Sequence, residues 1–201
     1  MKLSDRTEIK FALRRADLGK LERILEVNCR RVTYRDRTSR VSSLYFDDQR
    51  LSACEDTSEG ASRRSKVRLR WYDAPFPETE LFFEIKKRRG QATSKERLAL
   101  PLSRPLDSST VRETAMNLAR LLPRAPAEAL LARPEAIVLI EYERHYFEAP
   151  GGSLRITLDS DLVFFSQVGR LRPSRRFPFH ARDVVILEAK SSLASDDRIR
   201  E

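Results

Sequence analysis

Apolar and polar positions alternate with a period of two along most of the chain. Residues 66–90 read KVRLRWYDAPFPETELFFEIKKRRG, two strands around a proline-bearing loop. Lys66, Arg68 and Arg70 share one face of the first strand, and Phe82, Glu84 and Lys86 share one face of the second. Val67, Leu69, Trp71, Phe83 and Ile85 fall on the opposite faces. The same alternation predicts strands over Arg6 to Leu13, Val41 to Asp48, Gln91 to Leu100, Ala136 to Ala149, Ser153 to Phe165 and Asp183 to Ser192. Gly151–Gly152 marks a hairpin turn between two of them.

Helical spacing is confined to two stretches. Leu18, Leu21 and Leu25 follow Asp17, a plausible N-cap. Val111, Ala115, Leu118 and Leu122 follow Ser109 in the same way, and Pro123, Pro126 and Pro134 interrupt what comes next. Gly60 and its neighbouring serines predict a loop. The expectation is an α+β class: about eight antiparallel strands with a few flanking helices, a sheet large enough to curl into the eight-stranded β-barrel that the family resemblance below implies. One domain would span residues 1–201, with a helical insertion at about 101–135.

Composition narrows this picture. The chain has 201 residues, of which 40% are hydrophobic, enough for one core or at most two small ones. Lys and Arg number 39 against 30 Asp and Glu, a net charge of +9. Such an excess predicts an anionic partner: nucleic acid, nucleotide, polyphosphate or an acidic membrane surface. Cys29 and Cys54 form no metal-ligand spacing and no disulfide framework. With no signal-peptide core and no run of about 20 apolar residues, a cytoplasmic location is expected.

Charge repeats on strand after strand. Glu8 pairs in phase with Lys10, Arg68 with Arg70, Glu84 with Lys86, Lys95 with Arg97, Arg155 with Asp159 and Glu188 with Lys190. A flat sheet could show this face to water, or a closed sheet could turn it inward. Turned inward, the cations require a polyanion. Arginine grips phosphate with a planar fork and lysine adds point charges. Interspersed carboxylates would then serve best by holding a divalent cation beside the phosphates, as phosphoryl transfer requires. Tyr142, Arg144 and Tyr146 share a face, where the tyrosines either donate to phosphates or pack beside the arginine.

These motifs resemble, in order, the VTC (vacuolar transporter chaperone) domain of the triphosphate tunnel metalloenzyme superfamily. RTEIKF, SSLYFDD, KVRLRWY, FFEIKKRRG, SKERLAL, EYERHYF, LRITLDSDL and VILEAKSS each look like one of its strands. The resemblance implies an antiparallel triphosphate tunnel that binds ATP, inorganic polyphosphate or triphosphate with Mn2+ or Mg2+. It implies transfer of the terminal phosphate of ATP to a polyphosphate chain. Lys10, Arg68, Arg70, Lys86, Arg144 and Arg155 would be the catalytic cations. Lys66, Lys95, Arg97, Lys190 and Tyr142 would add phosphate contacts. Glu188 would lead the metal ligands, with Glu8, Glu84 and Asp159 as helpers. Arg6 stands where the phosphatase and cyclase branches carry a glutamate, which favours the VTC branch.

Two other readings remain open at this level. One is a metal-dependent triphosphatase. The other is a non-catalytic binder of polyphosphate or nucleic acid, supported by the basic segment RLRPSRRFPFHAR from Arg170 to Arg182. A solvated loop explains that segment more simply, so no specific nucleic acid is expected. A separate membrane protein is a candidate partner.

Overall fold

The computed structural model describes residues 6–34, 36, 38–90 and 92–192. The strands are β1 (Arg6–Arg14), β2 (Arg30–Val32), β3 (Ser39–Asp47), β4 (Arg63–Tyr72), β5 (Glu80–Arg89), β6 (Ala92–Pro101), β7 (Glu135–Glu148), β8 (Leu154–Ser166), β9 (Phe179–Ala181) and β10 (Val184–Ser192). The helices are α1 (Leu18–Asn28), α2 (Ser52–Ser58), α3 (Val111–Ala119) and α4 (Arg124–Leu131). The class is α+β with antiparallel strand pairing, as expected. Gln91, the expected first residue of the strand over Gln91 to Leu100, lies outside the described residues.

The chain divides into two compact units, and β3, β7 and β8 each contribute a segment to both. The first unit takes Ser42–Ile140 and Phe164–Pro178. Within it β3, β4, β5 and β6 lie side by side in sequence order. The register puts Val67 opposite Ile85 and Leu69 opposite Phe83. These four side chains are at most 1% exposed, so the apolar face of the hairpin is the core face. Leu106, Val111, Ala115, Leu118 and Leu130, from the helical segment, are buried as well. The helix α2 packs on β4.

The second unit takes the described residues up to Val41, Glu141–Val163 and the described residues from Phe179 on. Here β1 pairs with β10, β10 with β8 and β8 with β7, while β2 pairs with β7. One core cluster joins Leu25, Phe147, Ile156, Leu158, Val185 and Ala189, with Leu18, Leu21, Cys29, Leu154 and Leu187 packed on it. The leucine stripe of α1 therefore covers the apolar face of this sheet, as its spacing predicts.

Local details depart from the sequence pattern in instructive ways. The N-cap of α3 is Thr110, not Ser109. Thr110 Oγ1 accepts from Glu113 N at 3.1 Å and Thr110 N donates to Glu113 at 2.9 Å, a reciprocal capping box. Ser109 is buried beside it. Asp17 occupies the expected cap position of α1 but makes no capping bond: it ends a short 3-10 turn with helical backbone angles, and its carboxylate accepts from Arg14 Nε at 3.1 Å. Just before Gly60, where a loop is expected, the chain forms α2. Its amides are held by Asp47: Ala53 N and Cys54 N donate to that carboxylate at 3.0 and 2.9 Å. Pro126 sits in the first turn of α4, where its missing N–H costs nothing. Gly151 and Gly152, at φ 80 and 69, turn the chain from β7 to β8.

Candidate phosphate and metal site

Each unit carries a charged sheet face opposite its core. In the first unit, register stacks the charged side chains in rows across three strands. Arg68 lies opposite Glu84 and Glu84 opposite Arg97. One step along, Lys66 lies opposite Lys86 and Lys86 opposite Lys95. Arg70 lies in the row of Phe82 and Ala99.

Glu84 is the hub. It is 1% exposed, unlike any glutamate on a wet sheet face. Arg68 donates to its Oε2 through Nε at 2.7 Å and Nη2 at 2.5 Å. Lys95 reaches Oε1 at 2.7 Å, Arg97 at 3.5 Å, and Arg70 reaches Oε2 at 3.9 Å. Burial pushes the Glu84 carboxyl up, but Arg68, Arg70 and Lys95 override it and hold it at about 2. Lys95 is pushed down to about 8: burial disfavours its charge, Glu84 supports it, and Arg68 and Arg70 repel it. The two partners differ because Glu84 is served by every cation, whereas Lys95 must share it.

Two residues outside the expected set hold the arginines from the neighbouring strand. Arg68 Nη1 donates to Tyr45 Oη at 2.7 Å, and Arg70 Nε donates to Ser43 Oγ at 3.0 Å. Burial raises the Tyr45 phenol, yet Arg68 and Arg70 bring it below its ordinary value. The signal was present in SSLYFDD, since Ser43 and Tyr45 lie in phase on β3 while Leu44 and Phe46 are buried opposite.

In the second unit carboxylates and cations face one another across the strands. Glu8 faces Lys190 and Lys10 faces Glu188 across β1 and β10. Lys10 Nζ lies 3.1 Å from Glu188 and 3.3 Å from Glu8; Lys190 Nζ lies 3.1 Å from Glu188 and 3.8 Å from Glu8. Glu188 is 4% exposed. Burial raises its carboxyl, but its bond with Glu8 and the Lys190 and Lys10 charges hold it far below the usual range. Arg144 donates to both oxygens of Asp159 at 2.6 Å and stands 3.9 Å from Glu188. Its guanidinium lies over Tyr142, 5.1 Å from the ring centroid. Arg155 is exposed and directly opposite Lys190.

The expected metal carboxylates thus separate into three settings. Glu8 and Glu188 share Lys10 and Lys190. Asp159 has both oxygens taken by Arg144, and Glu84 belongs to the other unit, ringed by cations. Among the described residues no three His, Cys, Asp or Glu side chains gather as a metal-ligand set. Two hard carboxylates do suit Mg2+ or Mn2+, which bind through one or two protein carboxylates and complete their shell with phosphate oxygens. Glu8 and Glu188 are the pair that fits.

A third cluster lies on the core side of β7. Buried His145 sits 2.7 Å from Glu22 of α1 and contacts Arg31 of β2, which also binds Glu26 at 2.5 Å. These contacts tie α1 and β2 to the sheet, so His145 serves packing.

No helix among the described residues is long and apolar enough to cross a membrane. A search of curated proteins finds no match. A VTC domain family model matches residues 5–201, nearly the whole chain, and with the strand motifs now placed on two charged sheet faces, the protein belongs to the VTC domain family, related to the polyphosphate polymerases.

Proposed function

We propose that this domain binds ATP and polyphosphate on its cationic faces and transfers the terminal phosphoryl group with a divalent metal. The observation that carries this reading is the lysine row Lys66–Lys86–Lys95, three like charges in register beside Arg68 and Arg70. Like charges directly opposite one another destabilise a sheet. A bound polyanion turns that cost into affinity.

The chain's own residues divide the work. Glu84 and Tyr45 fix the Arg68 fork and Ser43 helps fix Arg70, so both arginines meet phosphate oxygens without reorganising. Lys66, Lys86 and Lys95 extend the grip along the chain of phosphates. In the second unit Arg144, locked by Asp159, and Arg155, Lys10 and Lys190 supply further cations. Glu188 and Glu8 would hold Mn2+ or Mg2+. When bound, the metal neutralises charge on the phosphate being transferred. The reading needs no covalent nucleophile.

The test is to incubate pure protein with ATP and manganese and to measure long-chain polyphosphate and free phosphate together. Polyphosphate that disappears in Glu188→Gln supports polymerisation. Free phosphate alone identifies a triphosphatase instead. If neither product forms and tripolyphosphate does not raise the melting temperature, the phosphate reading is wrong.

A further inference from the structure

Beyond the arginines the charged face of the first unit changes character. Tyr72 continues the phase of Arg68 and Arg70 on β4, and Phe82 is the in-phase residue of β5. Both rings are half-buried, and they meet edge to face with centroids 6.0 Å apart. Arg97 of β6 leans away from its own row onto them. Its guanidinium carbon lies 3.8 Å from the Phe82 centroid and 5.7 Å from that of Tyr72. The group is pinned at both ends: Nε stands 3.5 Å from Glu84, and Nη2 donates to Tyr72 Oη at 3.3 Å. The Arg97 side chain is 40% exposed, and its neighbour on the same face of β6 is Ala99, small and exposed.

An arginine that only shielded a phenyl ring from water would need no second anchor. Here a planar cation sits over an aromatic ring, 3.8 Å from its centroid, on a side chain that is 40% exposed. That is a stacking surface, the form in which arginine and aromatic side chains receive nucleobases. It also lies at a defined end of the face. Successive in-phase rows are about 7 Å apart: Tyr72 lies one row beyond the row that Phe82 shares with Arg70, and the row of Arg68 and then the lysine row follow on the other side. A nucleoside triphosphate has the same order, a base followed by its phosphates.

We infer that Arg97, backed by Phe82 and Tyr72, forms a nucleobase subsite that selects a nucleoside triphosphate over inorganic triphosphate. This rests on the phosphate reading above and deepens it. Arg97, expected from the sequence among the phosphate ligands, acts through its plane rather than its charge. The site recognises a π face and carries no hydrogen-bonding group dedicated to one base, so selectivity among bases is weak.

The experiment measures dissociation constants for ATP and for inorganic tripolyphosphate with Mg2+, in wild type, Arg97→Lys and Phe82→Leu. Arg97→Lys keeps the charge and removes the plane, while Phe82→Leu keeps apolar bulk and removes the ring. Each variant is expected to weaken ATP about tenfold, the scale of one stacked base, and to change tripolyphosphate less than about twofold. An equal loss for both ligands in Arg97→Lys would make Arg97 a plain phosphate ligand and overturn the subsite. Unchanged ATP binding in both variants would overturn it too. Wild-type protein that binds tripolyphosphate but not ATP would sink the subsite and ATP as the substrate while leaving phosphate-chain binding standing, and binding of neither would sink the phosphate reading with it.

Discussion

Lys10 and Lys95 each hold a buried glutamate, yet their hold on the proton moves in opposite directions. Burial penalises the charge of both. Lys10 answers to Glu188 and Glu8 and ends above its ordinary value. Lys95 shares Glu84 with Arg68 and Arg70, is repelled by them, and ends at about 8. The difference is one of local balance. Around Glu84, Arg68, Arg70, Lys95 and Arg97 converge on one carboxylate. Around Glu188, two lysines and Arg144 face Glu8, Glu188 and Asp159. Around Glu84 several cations share one carboxylate, which is the balance the proposed phosphate binding calls for. On the face of the second unit, each lysine lies within 4 Å of both Glu8 and Glu188, and their side chains are 55% and 41% exposed. Arginine's planar fork suits phosphate recognition, and lysine's flexible stem suits the carboxylate pair proposed to hold a metal.

Removing the two hubs should separate these roles. Glu84→Gln leaves Arg68 and the 6%-exposed Arg70 without their counter-charge. It is expected to cost on the order of 3 kcal/mol in denaturant unfolding, as when a buried ion pair loses one member. Tripolyphosphate should restore part of that loss, because it supplies the missing negative charge. Glu188→Gln is expected to cost within about 1 kcal/mol, because its lysines are 55% and 41% exposed in their side chains. It should nevertheless abolish metal-dependent phosphoryl transfer. Equal stability losses in the two variants would break the comparison.

Acid sharpens it further. The Glu84 carboxyl stands at about 2 in the folded chain against an ordinary 4.5. A depressed carboxyl contributes stability that is complete above 4.5 and is lost as the pH falls from there towards 2. Unfolding measured across that window should therefore show a shallower loss in Glu84→Gln than in wild type, since the variant has no proton to take up at this site. Parallel curves would mean that the arginines do not hold this carboxylate ionised.

Much of this architecture was legible in the chain. Period-two alternation assigned Val67, Leu69, Phe83 and Ile85 to one face and the charges to the other, and burial bears that out. The partners were harder to read, because strand pairing is set by contacts far apart in sequence. Lys10 meets Glu188 across 178 residues (188 − 10). Asp159, in phase with Arg155 on its own strand, is claimed by Arg144 of the neighbouring one. Periodicity names the face a side chain occupies but not the fork that reaches it. The helix α2 escaped notice because SACEDTS has no apolar stripe; its first turn is organised by Asp47, a residue of the preceding strand. The Arg97 platform escaped for a related reason. Tyr72 and Phe82 were in phase with the arginines, but the lean of Arg97 out of its own row is a tertiary choice.

The smallest effect expected concerns pH on the alkaline side, where the two lysines should part company. Lys95 stands at about 8 in the free protein, and a phosphate chain beside it would favour its charged form. A group whose value rises on binding supports binding fully below its free value and loses that support as the pH climbs through it. Tripolyphosphate affinity should thus be flat from pH 6.5 to 7.5 and fall above 8, by at most about tenfold per pH unit, since one proton is taken up. Lys95→Arg, which stays charged, should flatten the curve, whereas Lys10→Arg should leave its slope unchanged because Lys10 already binds its proton tightly. A slope that persists in Lys95→Arg and vanishes in Lys10→Arg would place the phosphate-sensing lysine on the second unit and reverse the assignment of the two faces.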